Sequence, residues 1–525
     1  MRWTARLTPL TSALAVSVVL CAVYLAWRPL SPDLSAQLAR ADLVERAGNI
    51  SWWTGWFGGL TLPTYSLVTP QLMAWIGVAV TGAVATVAGC CGAALLMREA
   101  LRPKAGAVVF SVFGVADLVA GRVTFTVGLA FAVWSLVALR EHWRVASAGL
   151  AVLAYFSSPL AGLFLGLVLL AVVVTDRPRR ASAAWAAGVL LACAVAMAVL
   201  FPGAGTMGFR VTDAIPPGAG FLAVAIAARQ RVVRVAALLA LAALPAFMIV
   251  PGAVGSNIAR LAWVCAVPVF VGCATLRRRW LVLLAVALSV WPVSDIVQQV
   301  RWFPGRPAHA AYYEPLAREL RSAQAAAGPA ARGERLELLD PIDHSGSYFL
   351  ARSFALARGW DRQVDRDANA IFYDSGALTA ESYAGWLHDH AVGWVAVPAT
   401  RLDYGSRTEA DLVQSGVPAL ELIWTSSDWR LYRVRDATPL ATGALVSAVG
   451  AGSVTLHAGT AGVVTVRVQW TPYLQVVDAA TGDAAHGACL AQAGRWVELH
   501  VPAAGEYRLV NRFDPFDRFG SDGCS

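Results

Sequence analysis

The chain has 525 residues and a formal net charge of +8; 57% of its residues are hydrophobic and only 14% are charged. A soluble domain carries about 25% charged residues, and a chain this long and this apolar cannot bury its hydrophobic side chains in a water-soluble core. The composition therefore excludes soluble globular, disordered, collagen-like and coiled-coil classes and leaves a polytopic membrane protein.

Eleven apolar stretches in the first 299 residues have the length, or nearly the length, of membrane-crossing helices, which need about 20 residues each. They lie near residues 9–28, 71–97, 105–121, 124–139, 145–158, 159–175, 182–201, 216–228, 235–251, 260–276 and 280–298. The third, fifth and eighth are short, and the eighth is either a span or a re-entrant segment. The sequence thus predicts a transmembrane domain over residues 1–299, with a first outer loop at 29–70.

Basic residues set the direction of these spans, because cytoplasmic loops are rich in Lys and Arg. With the N-terminus in the cytoplasm, 16 of the 22 basic residues in 1–299 fall on the cytoplasmic side. Membrane sidedness explains the basic balance, so no nucleic-acid partner is predicted. The predicted location is the cell (plasma) membrane, with a multi-pass chain whose N-terminus is cytoplasmic and whose residues 300–525 are extracytoplasmic.

The C-terminal region changes character along its length. Helical and strand patterns alternate over residues 300–437, including a helix at 347–356, and predict an α/β domain. Short alternating runs separated by Gly-rich turns over 438–525 predict a β-sandwich. Cys489 and Cys524 are the only cysteines outside apolar runs. An isolated pair in an extracytoplasmic segment is a disulfide candidate.

The first outer loop holds two distinctive stretches. Residues 33–46 have the periodicity of an amphipathic helix, which we expect to lie along the outer membrane surface. Residues 52–66 follow and contain three Trp, one Phe, one Tyr and three Gly. This composition predicts either an aromatic anchor at headgroup level or the wall of a sugar or lipid-headgroup site that includes Trp56 and Tyr65.

Asp33 is the first candidate catalytic residue, because it follows the first span closely on the predicted outer side. A carboxylate partly removed from water can act as a general base toward a hydroxyl group. The alternative is a helix N-cap, and residue chemistry alone favours the cap, since Ser31-Pro32-Asp33 precedes an apolar-periodic run. Asp42 is a further binding candidate, for which a solvated helix face is the favoured alternative.

Ionisable residues also lie where the spans meet the predicted outer surface. Asp117 and Arg122 flank the turn between the third and fourth spans and indicate either a functional site or a structural ion pair. Arg260, with Asn257 just before it, begins the tenth span. Together with Arg122 and Arg210 it is a candidate for binding a lipid phosphate, and snorkelling to the interface is the alternative.

Other motifs are absent or weak. The chain has no GxxxxGK[ST] loop, no HExxH and no GxSxG, which argues against ATP-driven pumping and against these hydrolase mechanisms. His388 and His390 form a weak candidate metal pair, for which ordinary surface residues are the favoured interpretation. Trp360, Asp361 and Asp365 are weak candidates for glycan contacts. No metal site is predicted.

The arrangement as a whole resembles GT-C-type glycosyltransferases: an acid after the first span, an interfacial helix, many spans with short loops and an outer C-terminal domain. Short motifs resemble, more narrowly, actinobacterial multi-pass proteins of the 6-pyruvoyl-tetrahydropterin-synthase-related membrane protein family, which is grouped with GT-C folds. These motifs begin at Trp56 (WFGG), Leu62 (LPTYS), Gly121 (GRVTF), Ser158 (SPLAG), Gly255 (GSN, with Arg260) and Ala357 (ARGWDRQ).

The resemblance implies an activity and its partners. In GT-C enzymes an acid of the first outer loop activates the acceptor hydroxyl, and the donor is a polyprenyl-phosphate sugar, so Asp33 takes the role of base. The family's frequent paired acids are absent here, because Leu34 follows Asp33, and a divalent cation therefore stays open as a cofactor. The implied function is transfer of a sugar to a cell-envelope glycan or lipid acceptor on the outer face of the bilayer, with the C-terminal modules binding the acceptor.

The sequence is also compatible with two other functions. One is a multi-pass transporter or flippase of envelope precursors, although such carriers usually keep ionisable groups near the bilayer midplane and are built from repeats. The other is a non-catalytic envelope scaffold whose outer domains bind glycan or protein.

Overall fold

The computed structural model describes residues 8–48, 50–302, 305–514 and 524; Arg2 and Arg6 of the predicted cytoplasmic N-terminus lie outside this part. The chain divides into two compact units, the first comprising Met1–Gln37 and Thr64–Pro304 and the second Leu38–Pro63 and Gly305–Ser525. The sequence prediction assigned the whole loop 29–70 to the transmembrane domain. The structure instead groups its central part with the C-terminal region.

The first unit is built from apolar helices. Those described are α1 (Pro9–Trp27), α2 (Pro32–Ala47, which begins in this unit), α3 (Thr69–Ile76), α4 (Val78–Leu96), α5 (Pro103–Val119), α6 (Val123–Arg140), α7 (Arg144–Ser157), α8 (Pro159–Thr175), α9 (Arg180–Leu200), α10 (Val211–Ala227), α11 (Arg231–Ile249), α12 (Ala259–Cys273) and α13 (Arg278–Trp302). Seven helical stretches among the described residues are long and apolar enough to cross a membrane. Each of the eleven predicted spans except the second corresponds to one helix, within a few residues at either end.

Two details of the span prediction were wrong. The predicted second span is broken, because Gly77 adopts a φ of 87° and separates α3 from α4. The eighth stretch begins at Val211, before its predicted start at residue 216. It is the 17-residue helix α10, which continues through Pro216 and Pro217 in its second turn, where each proline removes one backbone hydrogen-bond donor.

The predicted cytoplasmic turns meet at one end of the bundle. The guanidinium group of Arg102, between α4 and α5, donates hydrogen bonds to the carbonyl groups of Ala274 and Leu276, between α12 and α13, at 2.7 and 2.9 Å. Arg98 binds Glu141, between α6 and α7, at 2.8 Å. These contacts place the Arg-rich turns together, as the alternation of spans predicts.

The other turns meet at the opposite ends of the helices. The amide of Leu67, before α3, bonds to the carbonyl group of Phe156 at the end of α7, at 2.8 Å. The amide of Met207, between α9 and α10, bonds to the carbonyl group of Gly252, between α11 and α12, at 2.9 Å. These are the turns that the sequence predicts to lie outside the membrane.

The second unit contains an α/β sheet and a β-sandwich. Its described helices are α14 (Ala310–Ala327), α15 (Ser345–Phe349), α16 (Arg362–Ala368), α17 (Ala380–Asp389) and α18 (Tyr404–Ser415). Its described strands are β1 (Trp52–Trp53), β2 (Leu60–Thr61), β3 (Arg335–Leu338), β4 (Val392–Pro398), β5 (Leu420–Thr425), β6 (Trp429–Val434), β7 (Ala441–Thr442), β8 (Leu445–Gly450), β9 (Ser453–Ala458), β10 (Gly462–Val466), β11 (Leu474–Asp478), β12 (Cys489–Ala493), β13 (Trp496–Val501) and β14 (Gly505–Asn511).

Three sheets organise these strands. The α/β sheet has the order β3-β4-β6-β5, with β3 and β4 parallel and the other pairs antiparallel. The predicted helix at 347–356 was largely wrong, because α15 ends at Phe349. The sandwich consists of β12-β13-β10-β7 and β11-β14-β9-β8, both antiparallel. A disulfide joins Cys489 and Cys524, the pairing that the sequence suggested.

The tryptophans of the first outer loop belong to the interior of the second unit. Trp52, Trp53 and Trp56 are 1%, 3% and 0% exposed, and Trp52 packs in the sandwich core beside Leu456. Both interpretations of Trp56 from the sequence were therefore wrong: a ring with no exposed surface contacts neither lipid headgroups nor a sugar. Burial of three large aromatic rings is the physical reason that this segment joins the second unit.

The close packing of Trp56 leaves no space for a side chain at Gly359. A Cβ atom at Gly359 would overlap the Trp56 ring, which is fully enclosed and cannot move aside. We expect Gly359→Ala to lower the free energy of unfolding by about 1–3 kcal/mol. Gly385, inside α17, has nothing within 4 Å of an added Cβ. Gly385→Ala should therefore raise the free energy of unfolding by about 0.5–1 kcal/mol. Denaturant unfolding of the full-length variants tests this, and equal stability of the two contradicts it.

Candidate functional site

Arg122, in the turn between α5 and α6, is surrounded by three carboxylates of the first unit. Its Nη1 lies 3.3 Å from Asp117 Oδ1, its Nε 3.5 Å from Asp33 Oδ2, and its Nη2 3.6 Å from Asp295 Oδ2. A guanidinium group stays protonated in proteins and offers five donors in one plane. Arg122 therefore holds residues of α2, α5 and α13 at one point.

The turn that carries Arg122 packs directly on the start of α2. Gly121 has a φ of 79°, and a Cβ atom there would collide with Ser31 Oγ and with the backbone of Leu34. Only glycine combines this backbone conformation with such a close approach. The glycine thus brings the Arg122 turn against the helix that begins with Asp33.

Asp117 is the anchor of this group. Its side chain is 1% exposed, and its second carboxylate oxygen, Oδ2, accepts a hydrogen bond from Thr126 Oγ1 at 3.2 Å. The guanidinium carbon of Arg122 lies 5.0 Å from the centre of the buried Trp263 ring, within cation–π range. Asp117 and Arg122 therefore form the structural ion pair that was one of the two interpretations of this turn.

Asp33, Arg260 and Asp295 form the accessible side of the group. Their side chains are 28%, 25% and 35% exposed, and Arg260 Nη2 lies 3.2 Å from Asp33 Oδ2. Both arginines thus contact the same oxygen of Asp33. Within the described part of the chain, Asp33 Oδ1 makes no hydrogen bond or ion pair. Asp295 Oδ2 contacts Arg122 and accepts a hydrogen bond from Gln299 at 3.1 Å, while its Oδ1 has no such partner among the described residues.

The structure brings together four of the residues predicted from the sequence: Asp33, Asp117, Arg122 and Arg260. The favoured N-cap interpretation of Asp33 was wrong, because α2 begins at Pro32 and Asp33 lies inside its first turn. The sequence analysis assigned no role to Asp295. Its signal was its position as a lone acid toward the end of the last apolar span.

The other predicted contacts of the first unit lie elsewhere or are engaged. Tyr65 accepts a hydrogen bond from Gln37 Nε2 at 2.9 Å. Asn257 donates to the carbonyl group of Ala253 at 3.5 Å. Arg210 is 84% exposed and pairs with Asp213 at 3.3 Å. The proposal below therefore includes neither Asn257 as a substrate contact nor Arg210 as a phosphate contact.

Asp42 belongs to the second unit and is buried, so its predicted position on a solvated helix face was wrong. It accepts hydrogen bonds or ion pairs from Arg46 Nε at 2.6 Å and Arg352 Nε at 3.1 Å. Arg40, on the same helix, is 3% exposed and pairs with Asp361 at 2.9 Å. The polar face of α2 thus contributes to the interior of this unit and is not the solvated face of an amphipathic helix.

A divalent cation does not fit the residues around Asp33. The three carboxylates converge on the Arg122 guanidinium, so the position that a metal ion would take is filled by a cationic side chain. Among the residues that the structure describes, no group of three or more His, Cys, Asp and Glu side chains could hold a metal ion. His390, expected at the surface, is buried and bonds to the Trp386 carbonyl group at 2.9 Å.

A second polar centre lies inside the α/β part of the second unit. His344 Nδ1 lies 2.7 Å from Asp340, its Nε2 3.5 Å from Asp403, and its ring stacks on Trp360 at 3.4 Å. Burial disfavours the charged imidazole, but the two carboxylates outweigh it and raise the pKa of His344 to about 9. Burial alone would raise the pKa of Asp403. The positive charges of His344 and Arg362 outweigh this effect and hold the pKa of Asp403 well below its usual range.

Comparison with known proteins assigns only the end of the chain. Residues 441–521 match the family described as a domain of unknown function, DUF8823. No curated protein matches the chain. The matched segment begins at β7, so it is the sandwich module of the second unit that is similar to this family, and the similarity carries no activity.

The His344 cluster predicts a pH dependence of stability. A pKa of 6.5 in the unfolded chain and about 9 in the folded chain means that the imidazolium stabilises the fold fully below pH 6.5. This stabilisation is lost as the pH rises through 9. The stability advantage of the native protein over His344→Gln should be on the order of 3 kcal/mol below pH 6.5 and should shrink toward pH 9. Urea unfolding across this range measures it.

His486 supplies the matched control, because it is exposed and its substitution removes no buried contact. His486→Gln should leave the unfolding free energy unchanged at every pH. A His344→Gln deficit that stays constant between pH 6.5 and 9 contradicts the assignment of a charged His344.

Proposed function

We propose that the chain is a membrane glycosyltransferase of GT-C type that moves a sugar from a polyprenyl-phosphate donor to a cell-envelope acceptor on the outer face. The observation that carries this proposal is the meeting of Asp33, Arg122, Arg260 and Asp295, which come from four separate segments, at ion-pair distances. Accessible acceptors and an accessible cation at one place are what sugar transfer from a phosphate carrier requires.

In this proposal Asp33 is the base. Its Oδ1 takes the proton of the acceptor hydroxyl while the hydroxyl oxygen forms a bond to the anomeric carbon of the donor sugar. The bond between that carbon and the phosphate oxygen breaks, and the electron pair leaves with the polyprenyl phosphate. Oδ2 stays bound to Arg122 and Arg260, which fixes the orientation of the carboxylate.

Arg260 is the phosphate contact in this scheme. It makes a single ion pair, with Asp33, among the described residues and is 25% exposed, so most of its donors are free. Arg122 is 12% exposed and faces three carboxylates, which would repel an anion. We therefore assign Arg122 a positioning role, in place of the phosphate contact that the sequence suggested.

Membrane insertion is part of the proposal. The helices α1, α9, α11 and α13 leave most of their apolar surface exposed, including Val19, Leu191, Ile249 and Val286. Such surface needs a hydrocarbon environment. The Arg-rich turns lie at one end of the bundle, and the Asp33 group lies at the helix ends that follow the other set of turns. The positive-inside rule then puts Asp33 at the outer leaflet.

Helix-end placement also separates this proposal from a transporter. Asp33 lies at the start of α2, Arg122 and Arg260 next to the starts of α6 and α12, and Asp295 near the end of α13. Ion-coupled carriers place their ionisable groups at the bilayer midplane on broken helices. The group therefore favours chemistry at the membrane surface over passage through the membrane.

Replacement of the base tests the activity. In cells whose only copy of the chain carries Asp33→Asn, sugar transfer to the envelope glycan should fall by at least about 100-fold, because general base catalysis contributes a factor of this size or more. Compositional analysis of the purified envelope glycan measures the loss.

Asp213 provides the matched control, since it is also an aspartate in the first turn of a helix, α10, and is paired with an arginine, Arg210, at 3.3 Å. Asp213→Asn should leave the glycan unchanged. An unaltered glycan in the Asp33→Asn strain, with normal amounts of protein, refutes the assignment of Asp33.

The proposed orientation of the chain predicts that the C-terminal region lies on the outer side of the membrane. A phosphatase reporter that is active only outside the cytoplasm should be active when fused after Ser525 and inactive when fused after Arg179, in the α8–α9 turn. The reverse pattern contradicts the orientation and removes Asp33 from the outer face.

A further inference from the structure

Asp33, Arg260 and Asp295, on the accessible side of the charged cluster around Arg122, have hydrogen-bonding atoms that the described residues do not use. Asp33 Oδ1 and Asp295 Oδ1 have no partners among the described residues, although the side chains are 28% and 35% exposed. Arg260 uses Nη2 for Asp33, and its other nitrogens make no hydrogen bond within the described chain. Two acceptors and a donor are therefore directed toward a ligand or solvent.

A buried donor at the same place is also unmet. Trp263 Nε1 is enclosed and has no hydrogen-bond partner among the described residues. Its ring, 2% exposed, lies against the Arg122 guanidinium at 5.0 Å. Buried polar groups are nearly always hydrogen-bonded, so an unpaired donor points to a missing polar atom. This indicates a ligand or water oxygen at the Trp263 ring, which packs on Arg122.

The two carboxylates that carry these oxygens are held by one cation. Asp33 and Asp295 both bind through Oδ2 to one planar guanidinium, that of Arg122. Gln299 fixes Asp295 further by its hydrogen bond to the same Oδ2. The two carboxylates thus flank a single guanidinium group, so one ligand of the size of a sugar ring can offer a hydroxyl group to each.

We infer that Asp295 is a second acceptor-binding carboxylate, and that the acceptor is a sugar with neighbouring hydroxyl groups, not a lipid alcohol with one. The inference rests on the proposed function. Asp33 Oδ1 receives the attacking hydroxyl, and Asp295 Oδ1 accepts a hydrogen bond from the hydroxyl beside it. An ionised carboxylate has only acceptors to offer, so it selects ligands rich in O–H donors.

Binding of a defined glycan pool tests the inference. Cells lacking the chain are grown on carbon-14 glucose, and the oligosaccharides released from their envelope are used directly or after periodate cleavage of neighbouring hydroxyls and borohydride reduction. The native protein in nanodiscs should bind the untreated pool at least about tenfold more tightly than the cleaved pool. Asp295→Asn should weaken binding of the untreated pool by a similar factor and lose the discrimination.

Two variants guard against misfolding. Asp213→Asn should bind like the native protein, and Asp295→Glu, which keeps the charge but moves it, should retain part of the discrimination. Equal binding of the two pools by the native protein, absence of binding to either, or unchanged binding by folded Asp295→Asn overturns the inference. The proposed function is judged separately by the envelope of the Asp33→Asn strain, in which Asp295 is unchanged.

Discussion

The cluster of charged residues around Asp33 depends on one interaction, the pairing of a buried arginine with three carboxylates. Arg122 cannot shed its charge, so its burial beside Trp263 is tolerated only because Asp117, Asp33 and Asp295 surround it. Loss of one partner of a buried ion pair typically costs about 3–5 kcal/mol. The same requirement that stabilises the cation therefore fixes the relative positions of the segments that carry the three acids.

The group has an inner and an outer part with different consequences. Asp117 uses both oxygens, on Arg122 and Thr126, and is almost fully buried; it can serve only as an anchor. Asp33 and Asp295 use one oxygen each and are partly exposed. In the proposed reaction, this division lets a buried ion-pair network hold Asp33 and Asp295 without the flexibility of isolated surface carboxylates, which is how pre-organised sites avoid reorganisation.

The sequence predicted the helices of the first unit well, because long apolar stretches between Arg-rich turns leave few alternatives. It also singled out Asp33, Asp117, Arg122 and Arg260, since charges at the ends of apolar spans are conspicuous. It could not show that Asp295 joins them, because contact between α13 and the α5–α6 turn depends on three-dimensional packing. The break at Gly77 was missed because the apolar pattern runs through it without interruption.

The first outer loop was interpreted less well, and the reason is physical. Composition shows that Trp52, Trp53 and Trp56 need an apolar surrounding but not which one, so a membrane surface and a protein core were indistinguishable. The same holds for Arg40 and Asp42, whose charges suggested a solvated face. Their partners Asp361 and Arg352 lie some 300 residues away in the chain, at separations that no local pattern reveals.

The most direct measurement of the central claim is an experimental map of the full-length protein with an added polyprenyl phosphate. The account predicts density for the phosphate within hydrogen-bonding distance of the Arg260 guanidinium, with Asp33 Oδ2 still on Arg260 and Arg122 and Asp33 Oδ1 facing the ligand. A phosphate bound away from Arg260, or an Asp33 carboxylate turned away from both arginines, would contradict it.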